Sequence, residues 1–325
     1  MTSLSIVIPV YNGALNIRDL VAELARVLPT LAEQYEVILV EDDSRDNSWE
    51  VIGQIVEDYP WVRALRLMRN YGQHNALLCG IRAARHEIIV TMDDDLQHPP
   101  DEIHKLLEKL AEGYDVVYGT PEQEQHGLWR DLASQVTKLA LQSAMGVEVA
   151  RNVSAFRAFR TQVRDAFSHY ESPYVSIDVL LTWGTTRFAA VRVRHDPRKR
   201  GVSNYTLRKL IVHALNMMTG FSTLPLQLAS LIGIVFTLFG MGVLVYVVAR
   251  VLLEGSSVPG FPFIASIIAI FSGAILFALG IIGEYLARMH LRLMGRPSSV
   301  VRESVGFRET LLYASPEQAA EEVTG

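Results

Sequence analysis

HEIIVTMDDDLQHPPDEI, residues 86–103, decides the reading of this chain. An apolar, β-branched run (Ile88, Ile89, Val90, Thr91) stops at three consecutive acids, Asp93, Asp94 and Asp95. After Gln97 come Pro99 and Pro100, and then Asp101 and Glu102 at the head of an amphipathic segment. Proline at the start and acids in the first turn mark a helix N-terminus, so the order predicted is strand, acidic loop, helix. Carboxylates so densely placed repel one another unless a cation sits among them. A D-x-D pair with an amide oxygen two residues on supplies hard oxygen ligands, which suit Mg²⁺ or Mn²⁺. A solvated acidic turn capping the helix is the alternative reading of the same residues.

Outward from this stretch the pattern repeats. LSIVIPV (4–10) is a buried-strand run closed by Tyr11-Asn12-Gly13, and a helical pattern from Ile17 to Leu28 follows, stopped at Pro29. YEVILV (35–40) runs into Glu41-Asp42-Asp43-Ser44-Arg45-Asp46. A helix over 47–58, a strand over 62–68, a helix over 73–84 and a strand over 87–92 continue the alternation. Strand and helix in strict succession predict a mostly parallel α/β sheet. In such sheets ligands gather at the carboxyl ends of the strands. The polar clusters at Tyr11-Asn12, Asp42–Asp46, Arg69–His74 and Asp93–Gln97 all fall there. Strands over 115–119 and 187–194 and a helix over 128–144 are expected further on, followed by the basic stretch HDPRKRGVSNY (195–205).

Half of the 325 residues are hydrophobic and only 20% are charged. The apolar excess is local, because no Asp, Glu, Lys or Arg occurs from Leu210 to Ala249 or from Gly255 to Gly283. Each run exceeds the roughly 20 residues that cross a bilayer, and spans are placed near 227–250 and 261–284. Arg208 and Lys209 precede the pair, and Arg288, Arg292, Arg296 and Arg302 follow it. Basic flanks favour the cytoplasmic side, so both termini are expected inside and the turn GSSVPG outside. No signal peptide is expected at the N-terminus. Residues 205–221 read either as an amphipathic helix on the membrane surface or as an ordinary core helix. The domains expected are a cytosolic α/β domain over 1–204, an interface segment over 205–226, two transmembrane helices over 227–288 and a cytosolic tail over 289–325. A net charge of −5 argues against nucleic acid as a partner. The single cysteine, Cys79, excludes an internal disulfide.

IPVYN at the first strand, EDDSRD after the second, DDDLQHPP after the fourth and a C-terminal apolar hairpin occur together in order. The combination resembles family 2 glycosyltransferases of the GT-A fold, specifically the polyprenyl-phosphate glycosyltransferases. RNYGQHNALLCG (69–80) is most similar to the bacterial undecaprenyl-phosphate glucosyl and aminoarabinose transferases. GEYLAR (283–288) is similar to the family's G-E-Y-[IL]-x-R. The resemblance, over roughly residues 4–302, implies an inverting, metal-dependent transfer from a nucleotide-sugar to a polyprenyl phosphate at the cytosolic face of the plasma membrane. It implies that Pro9, Tyr11 and Asn12 line the nucleotide pocket, with Asp42 near the base, Asp93 near the ribose and Asp94 in the same donor-binding loop. Asp95 and Gln97 would hold Mg²⁺ or Mn²⁺, with Asp95 counted as catalytic. Arg130, Ser134, Arg157 and Arg198 would grip the acceptor phosphate, Arg130 and Arg198 as catalytic residues. A homo-oligomer is a further expectation.

The chain departs from the family pattern at several points. Gly13 stands where Glu is usual after Y-N, Asp43 where the acidic motif has Gly, Asn152 where many relatives have Asp, and Asn204 where Lys is common. PEQEQHG lacks an expected Arg. QHGLWR (125–130) superficially resembles the Q-x-x-R-W motif of processive synthases, but its order is wrong. A catalytically inactive, membrane-tethered scaffold that binds sugar nucleotides is the rival from another class. Intact Asp93, Asp95, Gln97, Arg130 and Arg198 argue against it.

Overall fold

The computed structural model describes residues 3–121, 153–172, 174–196, 224–254 and 260–307. Arg130, Ser134, Asn152, Arg198 and Asn204, the helix expected over 128–144 and the segment 205–221 lie outside them. Among the described residues eight strands form one sheet in the order β7-β5-β6-β4-β1-β2-β3-β8. They are β1 (Ser3–Val10), β2 (Gln34–Glu41), β3 (Val62–Leu67), β4 (Ile88–Thr91), β5 (Val116–Pro121), β6 (Arg157–Arg160), β7 (Phe188–Val193) and β8 (Val301–Val305). β1 pairs in parallel with β2 and β4, and β2 with β3, while β6 and β8 run antiparallel to their neighbours. The sheet is therefore mostly parallel, as the alternation predicts.

Helices cover both faces, which is why the strands read as unbroken apolar runs. In β1 the side chains alternate: Leu4, Ile6 and Ile8 enter one core and Val7 the other. The first core is closed by α1 (Ile17–Leu31), α2 (Ser48–Asp58) and α4 (Ile103–Ala111) through Leu20, Leu24, Ile52, Ile55, Ile103 and Leu106. The second is closed by α3 (Gln73–Ala83), a 3₁₀ segment (Thr161–Phe167) and α5 (Ile177–Gly184) through Leu77, Ile81, Phe167 and Leu180. Each such side chain contributes about 1.5–3 kcal/mol by leaving water. Gly80 lets α3 lie close on the sheet, since a Cβ there would collide with Val7 and come 2.9 Å from Val40 Cγ2. Pro29 does not stop α1, which continues to Leu31; at the last turn its missing N–H costs only one helical bond.

Two long helices follow, α6 (Leu224–Glu254) and α7 (Phe261–Leu293). Pro225–Arg250 and Ile270–Leu293 within them are long and apolar enough to cross a membrane, and neither is buried in the protein. Core helices of a soluble domain would be covered, whereas these are exposed. Phe236 packs edge-on against Phe271 at 5.9 Å, so the helices contact each other. At the end of α7, Arg288 pairs with Glu284 at 2.8 Å and stacks 4.7 Å over Tyr174 of the α/β domain. The pairing matches the ion pair that their i, i+4 spacing suggests.

Among the described residues beyond α7 is a further strand. Val301–Val305 joins the sheet as β8, antiparallel to β3, and so covers an edge that would otherwise present unpaired backbone groups. This short, polar alternation carries no clear strand signal on its own.

Candidate active site

β1 is flanked by β2 on one side and β4 on the other, and the chain reverses its direction of travel across the sheet between them. Beyond the carboxyl ends of β1 and β4 lies the crevice at such a reversal, where open α/β sheets bind ligands. Pro9 helps to open it. The last rung between the strands is Met92 N–H to the Val7 carbonyl at 3.3 Å. A parallel ladder would continue from the N–H of residue 9, and proline has none. Pro9 itself is buried in β1, whereas Tyr11, just beyond it, is exposed.

Among the described residues three non-glycine residues adopt left-handed backbone, and all three sit in the loops around this crevice: Asn12 (φ 55°), Asp43 (φ 54°) and Leu96 (φ 60°). Asn and Asp tolerate this region through local hydrogen bonding, but Leu gains no such help. Such strain clusters at functional sites. The Asn12 N–H donates to Ser44 Oγ at 3.0 Å, and its Oδ1 accepts from the Arg45 N–H at 2.9 Å. The first two strand-end loops are thereby tied together.

Asp42 is almost fully buried. Its Oδ1 accepts from the Tyr71 N–H and its Oδ2 from the Gly72 N–H, each at 2.7 Å. Burial pushes its carboxyl up to about 6, against the pull of those two backbone donors. Gln73 Nε2 donates to Asp93 Oδ1 at 2.7 Å. RNYGQ, singled out in the sequence without individual roles, thus supplies a cradle for Asp42 and an orienting amide for Asp93.

Gly13 and Asp94 fit together across the crevice. A Cβ on residue 13 would collide with Asp94 Oδ2 and come 2.8 Å from Val10 Cγ1. The departure at residue 13 therefore leaves a notch that the Asp94 carboxylate fills. Asp95 is nearly buried, and its Oδ1 accepts from the Gln97 N–H at 3.1 Å. That bond folds the loop so that the two residues of the expected metal pair lie beside one another. Among the described residues no group of three or more His, Cys, Asp or Glu side chains converges as a cation cage. A carboxylate and an amide are an incomplete set. It fits Mg²⁺ or Mn²⁺, which keep waters and take substrate phosphate oxygens as further ligands. His98 stacks on Phe156 at 5.1 Å with His195 edge-on at 5.0 Å, and burial pushes its imidazole down to about 4. His74 accepts from the Ile177 N–H at 3.4 Å, an ordinary polar contact.

Arg157 is placed differently from the expectation. It is 1% exposed inside the sheet, ion-paired with Asp178, and its Nε donates to Thr91 Oγ1 at 3.0 Å. Tyr118 donates to the same Asp178 at 3.2 Å. Its guanidinium is thus committed to the core, a scaffold role in this structure, where the resemblance implied an acceptor role. Sequence could not distinguish the two, because both use arginine in a polar motif.

The model of "Glycosyl transferase family 2" matches residues 5–167. Undecaprenyl-phosphate 4-deoxy-4-formamido-L-arabinose transferase of Yersinia enterocolitica is 34% identical over 310 residues, 94% of each chain, and that of Yersinia pestis matches equally. Among solved structures, glucosyl-3-phosphoglycerate synthase of Mycobacterium tuberculosis, in complex with Mn²⁺, UDP and phosphoglyceric acid, superimposes with a TM-score of 0.50 at 17% identity. The match covers 67% of this chain and 76% of that one, and at this identity it speaks for the fold alone. The match along nearly the whole length, on a sheet whose crevice carries the acidic loop, makes this chain a member of glycosyl transferase family 2, a glycosyltransferase of the GT-A fold.

Proposed function

We propose that this chain transfers a sugar from a nucleotide-sugar, most simply a UDP-sugar, to a polyprenyl phosphate of the undecaprenyl type. One observation carries the reading: the acidic crevice and two exposed apolar helices belong to one connected body, joined by Arg288 on Tyr174 and by β8 on β3. A lipid phosphate sits at headgroup level while its isoprenoid tail stays in hydrocarbon. An enzyme for it needs a donor site held within reach of a bilayer. The full-length likeness to a transferase named for undecaprenyl phosphate supports the same acceptor.

Asn12, Asp42 and Asp93 would bind the nucleoside part of the donor. Asp95 and Gln97 would hold a divalent ion against the donor diphosphate, where it would draw off the charge that develops on the leaving group. The acceptor phosphate has a second pKa near ~6 and is largely ionised at neutral pH, so it needs little help from a base. Positioning carries more of the burden, and Arg130, Ser134 and Arg198 are proposed to hold the phosphate behind the anomeric carbon. Direct displacement inverts that carbon. Membranes containing the protein, incubated with labelled UDP-sugars, Mn²⁺ and undecaprenyl phosphate, should yield label in the organic phase. Absence of labelled lipid across a panel of UDP- and GDP-sugars would overturn the reading.

Donor binding should depend on pH through Asp42. Its raised pKa means that the carboxylate forms only as pH climbs through about 6. If that carboxylate accepts a hydrogen bond from an N–H of the base, UDP affinity should fall as pH drops below about 6. Asp42→Asn should weaken binding at neutral pH and flatten the profile, as read by calorimetry.

Orientation gives another expectation. With both termini cytosolic, a cysteine introduced by Ser256→Cys should react with an impermeant thiol reagent in intact cells. Burial pushes the native Cys79 thiol up to about 11, and removing it as well leaves a clean background. Labelling of a Ser134→Cys variant instead would reverse the topology.

A further inference from the structure

We propose that the strand returning from the second apolar helix is a working part of the donor site, with Glu303 as its positioning residue. The proposal rests on the reading that the crevice binds a nucleotide-sugar. β8 makes two sets of contacts with the machinery around that crevice.

The first set ties β8 and the residues just before it to the end of β3 and to α3. The Met68 N–H donates to the Val300 carbonyl at 2.9 Å, and Arg302 Nη2 donates to the Met68 carbonyl at 3.2 Å. Ser298, 3% exposed, accepts from Arg82 Nη1 at 3.3 Å. Met68 begins the loop whose Tyr71 and Gly72 N–H groups hold Asp42, and Asn70 Nδ2 donates to the Asp42 carbonyl at 3.1 Å. The exit from α7 is thus fastened to the loop that shapes the Asp42 cradle.

The second set runs through side chains. Glu41, at the end of β2, is 1% exposed, and its Oε1 accepts from the Ser44 N–H. That hydrogen bond sets the turn on which Ser44 Oγ receives the Asn12 N–H. Glu41 Oε2 is buried without a hydrogen bond and faces Arg66 Nε at 3.4 Å. A buried carboxylate of this kind is costly unless a cation stays beside it. Arg66 is a quarter exposed and could swing out into water, but two contacts from outside the crevice oppose that. Its guanidinium lies 5.6 Å over the Trp49 ring, and its Nη1 is 3.7 Å from Glu303 Oε1. Glu303 Oε2 in turn accepts from Trp49 Nε1 at 2.9 Å, fixing the ring and the carboxylate together. Glu303 therefore holds Arg66 on Glu41, and Glu41 holds the Ser44–Asn12 turn at the donor mouth. Glu303 touches no substrate position itself.

The test uses full-length protein in nanodiscs, with UDP as the probe and transfer to undecaprenyl phosphate as the second readout. Glu303→Gln should raise the UDP Kd and the donor KM about threefold, and Glu303→Arg, which sets like charge against Arg66, about tenfold. The lipid KM, kcat and melting temperature should stay near wild type, and Glu303→Asp should restore much of the affinity. In an Arg66→Met background, Glu303→Gln should add nothing, because the relay is already cut. A lowered melting temperature and kcat with unchanged UDP Kd would make β8 an edge cover only and overturn the proposal. Equal effects with and without Arg66 would also overturn it. If the wild-type protein bound neither UDP nor GDP, the nucleotide reading would fall first, and this inference with it.

Discussion

Asp95→Asn is expected to cut sugar transfer at least about a hundredfold while leaving the protein folded and membrane-bound. The substitution removes one hard anionic ligand while keeping the size and shape of the side chain. Asp95 Oδ1 accepts from the Gln97 N–H at 3.1 Å, and an asparagine oxygen can accept the same bond, so the loop around left-handed Leu96 should hold its shape. Charge stabilisation of a leaving diphosphate by a bound ion is worth several kcal/mol, and each 1.36 kcal/mol is tenfold in rate. Transfer should be followed with Mn²⁺ titrated, alongside UDP affinity with and without the ion. In the variant the metal dependence of UDP binding should largely vanish. Full activity at ordinary Mn²⁺ concentrations would sink the metal assignment, whatever became of the donor pocket.

Arg157→Met is expected to destabilise the protein by about 3–5 kcal/mol, because it strands the carboxylate of Asp178 in the core without its cation. That is a large share of a total stability of about 5–15 kcal/mol. Replacing Asp178 by Leu in the same protein should recover part of the loss, since an uncharged pair leaves nothing unpaired. Arg130→Gln and Arg198→Gln should behave otherwise. They are expected to leave thermal unfolding unchanged and to lower acceptor-dependent kcat/KM about tenfold to a hundredfold, as for a lost charge-assisted bond of about 1.5–3 kcal/mol. Thermal unfolding in detergent, together with transfer at varied polyprenyl phosphate, separates the two kinds of arginine. A stable Arg157→Met protein with a raised lipid KM would return Arg157 to the acceptor site.

The strand–helix alternation through residue 111 was legible in the sequence because each element is specified locally. LSIVIPV and YEVILV are long enough and β-branched enough to be strands buried on both faces, and the helices between them carry their own periodicity. The two apolar helices were equally plain, since composition alone decides whether a segment of that length can face hydrocarbon. Short elements fared worse. β6, the 3₁₀ segment at 161–167, α5 and β8 went unread; RAFR and VRESV are too brief and too polar to announce a strand without their partners. β8 finds its partner, β3, near the opposite end of the chain.

The candidate site divides along the same line. Sequence by itself determined which residue types stand at the strand ends: Asn12, Asp42, Asp93, Asp95 and Gln97 fall there because every parallel strand must end on the same edge of its sheet. It also determined that the chain carries apolar spans. Only the tertiary structure decided what those side chains do to one another. It seats Asp94 in the notch at Gly13, turns Asp42 onto the Tyr71 and Gly72 amides, commits Arg157 to Asp178, and brings Glu303 to Arg66. Each of these joins residues far apart in the chain. Such contacts are fixed by strand order and register, which no local propensity encodes.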